Sequence, residues 1–153
     1  MKTLATDLDG TLYLDDLLIK GVESAYKSLI LDNFKIYHTT NNSSQSTDVL
    51  AKKLSNLLNA DIDLSSIVTP LVVLKEYLSN KKLSIFVYGS KDVKDFVSSI
   101  SNTVTNIENS NFIIMGRVDS PSESELDLIA ESIKSGKEGA TLNKDLTYPI
   151  SES

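Results

Sequence analysis

The sequence predicts an α/β fold built on a parallel sheet. Short apolar, β-branched runs alternate with stretches whose apolar residues recur at helical spacing, which is the pattern of βαβ units. Hydrophobic residues make up 41% and charged residues 24% of the 153, the balance of a globular chain with a core to bury. The third observation is positional. Asp7 and Thr40 close the first two strand candidates, and α/β sheets gather their chemistry beyond the carboxyl ends of strands.

The first strand candidate is Thr3–Asp7, a mostly uncharged run that ends in the turn sequence DLDG. Val22–Leu31 follows as a helix candidate, with Val22, Ala25, Leu29 and Ile30 near one face. Phe34–Thr40 is the second strand, rich in aromatic and β-branched residues. The polar cluster Asn41-Asn42-Ser43-Ser44 breaks it, and a helix carrying Val49, Leu50, Leu54, Leu57 and Leu58 begins nearby. Ile67–Thr69 reads as a short third strand, after which Pro70 suits the first turn of a helix running to Leu78.

A second unit starts near Asn80, so the expected division is 1–79 and 80–153. Leu83–Tyr88 reads as its first strand. Ser90 caps a helix that presents Val93, Phe96, Val97 and Ile100 on one face. The Ser- and Asn-rich stretch Ser98–Asn111 reads as a loop with room for a short strand, and Phe112–Met115 as a strand. Ser122-Glu123-Ser124-Glu125 is a capping box for a helix carrying Leu126, Ile129, Ala130 and Ile133, closed by Gly136. The run Gly139–Leu142 and the turn Asn143-Lys144-Asp145 come last.

Composition narrows the class of function. A formal charge of −6 argues against nucleic acid as a partner, because phosphate backbones are held by clustered Lys and Arg. The basic pairs Lys52-Lys53 and Lys81-Lys82 sit in polar surroundings and read as solvated surface. No apolar run approaches the ~20 residues that a membrane span needs. The acidic residue at position 7 comes too early for a secretory signal. With no cysteine in the chain, disulfides and thiolate metal sites are excluded. The expectation is a soluble, cytoplasmic protein with neither nucleic-acid nor membrane partners.

Chemistry concentrates in Asp7-Leu8-Asp9-Gly10-Thr11-Leu12. In an extended strand end, side chains two apart point the same way, so Asp7 and Asp9 stand side by side at the mouth of the sheet. One carboxylate can attack a phosphorus atom while the other exchanges a proton with the leaving oxygen and later activates water. Gly10 permits the sharp turn that brings Asp9 over the nucleophile. Two carboxylates repel a phosphate, so the scheme calls for a hard cation, and Mg²⁺ with oxygen ligands suits it. The Thr40 hydroxyl and the backbone N–H of Asn41 can then donate to phosphoryl oxygens. An EF-hand reading fails, since a strand precedes the loop and Gly10 is its fourth residue rather than its sixth.

DLDGTL after one strand and TTNNSS after the next, some thirty residues on, together resemble the haloacid dehalogenase (HAD) superfamily. More narrowly, they resemble its NagD-like or 4-nitrophenylphosphatase branch, subfamily IIA. The resemblance implies the N-terminal half of a Rossmann-like HAD core over 1–79, followed by an incomplete α/β cap over 80–153. By the same resemblance Asp7 is the nucleophile, Asp9 the general acid/base and Thr40 the phosphate contact. Asp7 and the carbonyl of Asp9 hold Mg²⁺, and Tyr13-Leu14-Asp15-Asp16 form a small flap over the site. The substrate implied is a small phosphorylated metabolite. Asn143 and Asp145 are either cap contacts to it or ordinary turn residues.

The resemblance also calls for a bracing lysine and a GDxxxxD acidic loop after the cap, and the sequence contains neither. Lys137 falls at a helix end, where lysines favour the helix dipole, and is not read as that lysine. The expectation is an N-terminal or truncated chain of a Mg²⁺-dependent phosphate-monoester hydrolase. The sheet edge beside the first strand is then bare and apolar, open to self-association or to a missing C-terminal half. The alternative is a non-catalytic HAD-like protein that binds phosphate or a partner chain. His38 shares a strand face with Phe34 and Ile36 and reads as a packed sheet residue rather than a proton shuttle.

Overall fold

The computed structural model describes residues 2–43, 45–118 and 120–143. The chain divides into two compact units, 1–73 and 74–153. In the first, strands β1 (Lys2–Asp7), β4 (Phe34–Thr39) and β5 (Ile67–Val68) form a parallel sheet in the order β1-β4-β5. Between β1 and β4 lie a two-stranded antiparallel flap, β2 (Tyr13–Leu14) and β3 (Leu17–Leu18), and helix α1 (Val22–Leu31). Helix α2 (Thr47–Leu58) joins β4 towards β5. The mixed α/β class with parallel sheets that the alternation of runs predicts is therefore found.

Local chemistry sets the ends of these elements. The Ser46 side chain caps α2 by accepting from the Val49 N–H at 3.4 Å, and Asn59 closes the helix in the left-handed region. One face of α2 buries Leu50, Ala51, Leu54 and Leu58 in a core shared with Leu8, Leu12, Tyr13, Tyr26, Ile36, Ile62 and Ile67. Burying a leucine side chain contributes about 2 kcal/mol, so this face decides where the helix sits. Three apolar residues expected on the buried stripes of α1 and α2 point outward instead, Ala25 among them. Ile30 at the end of α1 and Val49 at the start of α2 are about half exposed, and the buried position of α1 is Tyr26. Aromatic Tyr26 wins its place because its hydroxyl finds a partner inside, as described below.

Helix α3 (Pro70–Leu78) begins at proline, as its missing N–H and fixed φ favour. The second unit has a four-stranded, wholly parallel sheet in the order β7-β6-β8-β9, made of β6 (Ser84–Tyr88), β7 (Asn102–Val104), β8 (Phe112–Met115) and β9 (Glu138–Thr141). Helices α4 (Lys91–Ile100) and α5 (Glu123–Lys134) are its crossovers. Ser90 and Ser122 cap them by accepting from Val93 N–H and Glu125 N–H. The stretch read as a loop holds more structure than its composition suggests: the last turn of α4, all of β7 and a 3-10 turn at Ile107–Asn109. Ser and Asn mask strand signal in a short edge strand, which needs few apolar residues.

Candidate active site

The loop after β1 is built around Leu8. That side chain is fully buried, while Asp7 and Asp9 on either side of it are exposed. The carbonyl of Leu8 accepts from the N–H groups of Thr11, Leu12 and Tyr13, at 3.2, 2.8 and 3.3 Å. Gly10 takes φ +77°, a conformation other residues adopt only under strain, and its N–H donates to the Tyr13 carbonyl at 2.8 Å. The chain thus turns over one apolar anchor and leaves two carboxylates at the carboxyl end of the strand.

Parallel pairing brings the second segment alongside. Asp7 is in register with Thr39, and the Thr39 hydroxyl donates to the Thr6 carbonyl at 3.1 Å. Thr40 follows at once, buried, with its N–H on the Val68 carbonyl and its hydroxyl oxygen accepting from the Asn42 N–H at 3.0 Å. Asn41 is exposed between them. Asp7, Asp9, Thr40 and Asn41 therefore lie on loops at one end of one sheet, with Thr40 oriented by its own loop.

Electrostatics mark the same spot. The Tyr13 hydroxyl is pushed up to about 12, first by burial and then by the carboxylates of Asp9, Asp7 and Asp16. A phenol so held stays protonated beside Asp9. A negative field of this kind suits a cation. Among the described residues, no three His, Cys, Asp or Glu side chains converge on one point. Magnesium, however, is commonly held by one or two carboxylates plus waters and substrate phosphate, and the hard oxygens of Asp7 and Asp9 fit that habit.

Two residues whose part sequence reasoning missed belong to this region. Tyr13 is a buried aromatic beneath the flap rather than part of its surface. Lys53, expected to be solvated, has a side chain only 23% exposed and reaches the flap. Its spacing held the signal: Lys53 lies four residues before Leu57 and three after Leu50, on the flank of the apolar stripe. In the second unit, Asn143 is exposed and its carbonyl accepts from the Thr141 hydroxyl at 2.7 Å. Asp145 lies outside the described residues. The Lys137 ammonium donates to the carbonyls of Ile107 and Glu108 in the 3-10 turn.

His38, on β4, is buried between two hydroxyls, Tyr26 at 3.2 Å from Nε2 and Ser66 at 3.1 Å from Nδ1. The Ser66 hydroxyl donates to the Asp63 carbonyl, so it accepts from Nδ1–H, and Tyr26 donates to Nε2. Burial pushes the imidazole down from its usual value. The unfolded chain therefore takes up a proton at His38 before the folded one does. Its stabilising contribution is full above the unfolded value near 6.5 and declines as pH falls from there through the folded one. The urea midpoint is expected to fall over that window, and the fall is expected to be shallower in His38→Gln. Parallel profiles for the two proteins would refute the assignment.

A family model described as haloacid dehalogenase-like hydrolase matches residues 4–101. The acid sugar phosphatase of Staphylococcus haemolyticus is 26% identical over 147 residues, covering 94% of this chain and 55% of that protein. The crystal structure of a 4-nitrophenylphosphatase from Thermotoga maritima superposes with a TM-score of 0.79 at 25% identity, covering 99% of this chain and 58% of that one. A glycerol phosphate phosphatase from Mycobacterium tuberculosis, crystallised in complex with magnesium, shares the fold at 21% identity. Its TM-score is 0.77, with 98% of this chain and 46% of that one covered. The chain spans about half the length of the relatives it matches.

Proposed function

Since the chain belongs to the haloacid dehalogenase-like hydrolases, we propose that it carries the nucleophilic half of a Mg²⁺-dependent phosphate-monoester hydrolase. The observation that supports this most is the pair Asp7 and Asp9, exposed beyond β1 while Leu8 between them is buried, with Thr40 beyond the adjacent strand. A carboxylate oxygen of Asp7 attacks phosphorus and the ester C–O oxygen departs, leaving an aspartyl-phosphate. Asp9 gives a proton to that oxygen and then takes one from the water that hydrolyses the acyl phosphate. Thr40 and the N–H of Asn41 orient the phosphoryl oxygens. Asp7 and the Asp9 carbonyl would hold Mg²⁺, which would supply positive charge to offset the repulsion between carboxylates and phosphate. In this reading residues 1–79 are core, 80–153 belong to a cap, and the substrate is a small phosphorylated metabolite.

The test is hydrolysis of 4-nitrophenyl phosphate by the 153-residue chain with and without Mg²⁺. Turnover is expected to fall at least about 100-fold on chelation and to return when Mg²⁺ is restored. Turnover that ignores chelation would rule the scheme out. A second reading rests on the free side of β1, which among the described residues pairs only with β4. There the chain binds phosphate without turnover and takes a partner strand, from a second copy or from a C-terminal half that supplies the lysine and acidic loop. Phosphate binding by calorimetry, with no product formed and with activity appearing only on addition of such a half, would favour it.

A further inference from the structure

The flap cannot hold itself in place. It consists of two strands of two residues each, and isolated two-stranded ribbons are marginal in water. Its outward pair, Leu14 and Leu17, is 62% and 77% exposed and packs on little. Tyr13 and the partly buried Leu18 pack on the core below, and Lys53 of α2 reaches the flap from the side.

Among the described residues the Lys53 ammonium makes three contacts, all with the flap. It donates to the Asp15 carbonyl at 2.6 Å, pairs with Asp16 Oδ1 at 3.0 Å and lies 4.2 Å from the centroid of the Tyr13 ring. Asp15 has φ +52°, a left-handed turn. The Asp16 carboxylate is 91% exposed, so screening leaves that pair weak. The carbonyl bond and the ring contact, made by a side chain about three-quarters buried, carry the attachment. Other ion pairs here, Lys27 with Glu23 and Lys91 with Asp95, join neighbours on one helix and constrain nothing distant.

What Lys53 secures leads directly to the acid pair. Tyr13 bridges to Asp9 along the backbone, and its carbonyl accepts from the Gly10 N–H. We propose that Lys53 is a positioning residue, locking the flap to α2 and through Tyr13 holding Asp9 where it exchanges protons with the leaving oxygen. The role of Asp9 rests on the function proposed above; the lock itself does not. Lys53 touches no reacting atom in this scheme.

The test compares Lys53→Met and Lys53→Arg with the unaltered chain. Amide exchange at residues 13–18 is expected to rise at least about tenfold in K53M, with the second unit unaffected, and to return most of the way in K53R. The Tyr13 ring carbon shifts are expected to move towards free-tyrosine values in K53M. In hydrolysis of an alkyl phosphate, whose leaving oxygen needs the Asp9 proton, kcat is expected to fall about tenfold with KM little changed, again recovered by Arg. Unchanged flap exchange overturns the proposal, as does a rise spread evenly over the first unit, or a released flap with kcat unaltered. A chain that hydrolyses nothing defeats the proposed function, while exchange and ring shifts still decide whether Lys53 holds the flap and Tyr13.

Discussion

Replacing Asp7 by Asn is expected to lower the turnover of 4-nitrophenyl phosphate by about 10⁴-fold or more. The amide has no anionic oxygen to offer phosphorus, and removing a covalent nucleophile leaves only positioning and charge effects behind. Because Asp7 is an exposed strand-end residue, the substitution leaves the core untouched, and the melting temperature is expected to stay put. Asp9→Asn separates the second role from the first. A 4-nitrophenolate departs with little need of a proton, whereas an alkoxide does not. D9N is therefore expected to slow release from an alkyl phosphate by about 10²- to 10⁴-fold, and the nitrophenyl ester by much less in that step. Rapid quenching should then find label on Asp7 in D9N, since hydrolysis of the acyl phosphate also lacks its base. D7N turning over at the rate of the unaltered chain would remove Asp7 from the chemistry.

The largest effect on stability is expected at Leu8. Its side chain is completely buried in the core of the first unit, so Leu8→Ala should destabilise by about 2–5 kcal/mol through lost transfer energy and the cavity left behind. Urea unfolding followed by circular dichroism measures this. The effect should extend to function, because the same residue anchors the turn that spaces Asp7 from Asp9. A loss below about 1 kcal/mol would mean that the loop is held by its backbone bonds and not by this anchor.

Much of this arrangement was legible in the sequence. β-branched runs, a proline at a helix start and Ser90 and Ser122 at caps act over a few residues, and each element they mark is present. The placement of Thr40 beside the Asp7 loop followed from parallel pairing of consecutive strands. What escaped were properties of partners distant in sequence. Tyr26 is buried in place of Ala25 because His38 lies across from it, and Lys53 leaves solvent because a flap thirty-odd residues earlier presents a carbonyl and a ring. No periodicity records such encounters. The short strand allowed for within Ser98–Asn111 is Asn102–Val104, and its bounds were not legible because three residues at a sheet edge show no alternation.

Every pairing in the two larger sheets is parallel, and the partners are mostly far apart along the chain. Lys2 meets Phe34, His38 meets Ile67, Ile85 meets Phe112 and Phe112 meets Glu138, separations of about thirty residues. Each pairing has to close a long loop before any ladder bond repays the lost entropy. Only the flap can form by local closure, and it is too small to guide the rest. The rate of folding is thus set by topology. Refolding from urea should proceed in milliseconds to seconds, and until β1 finds β4 the two acidic residues and their threonine belong to separate, unconnected pieces of chain.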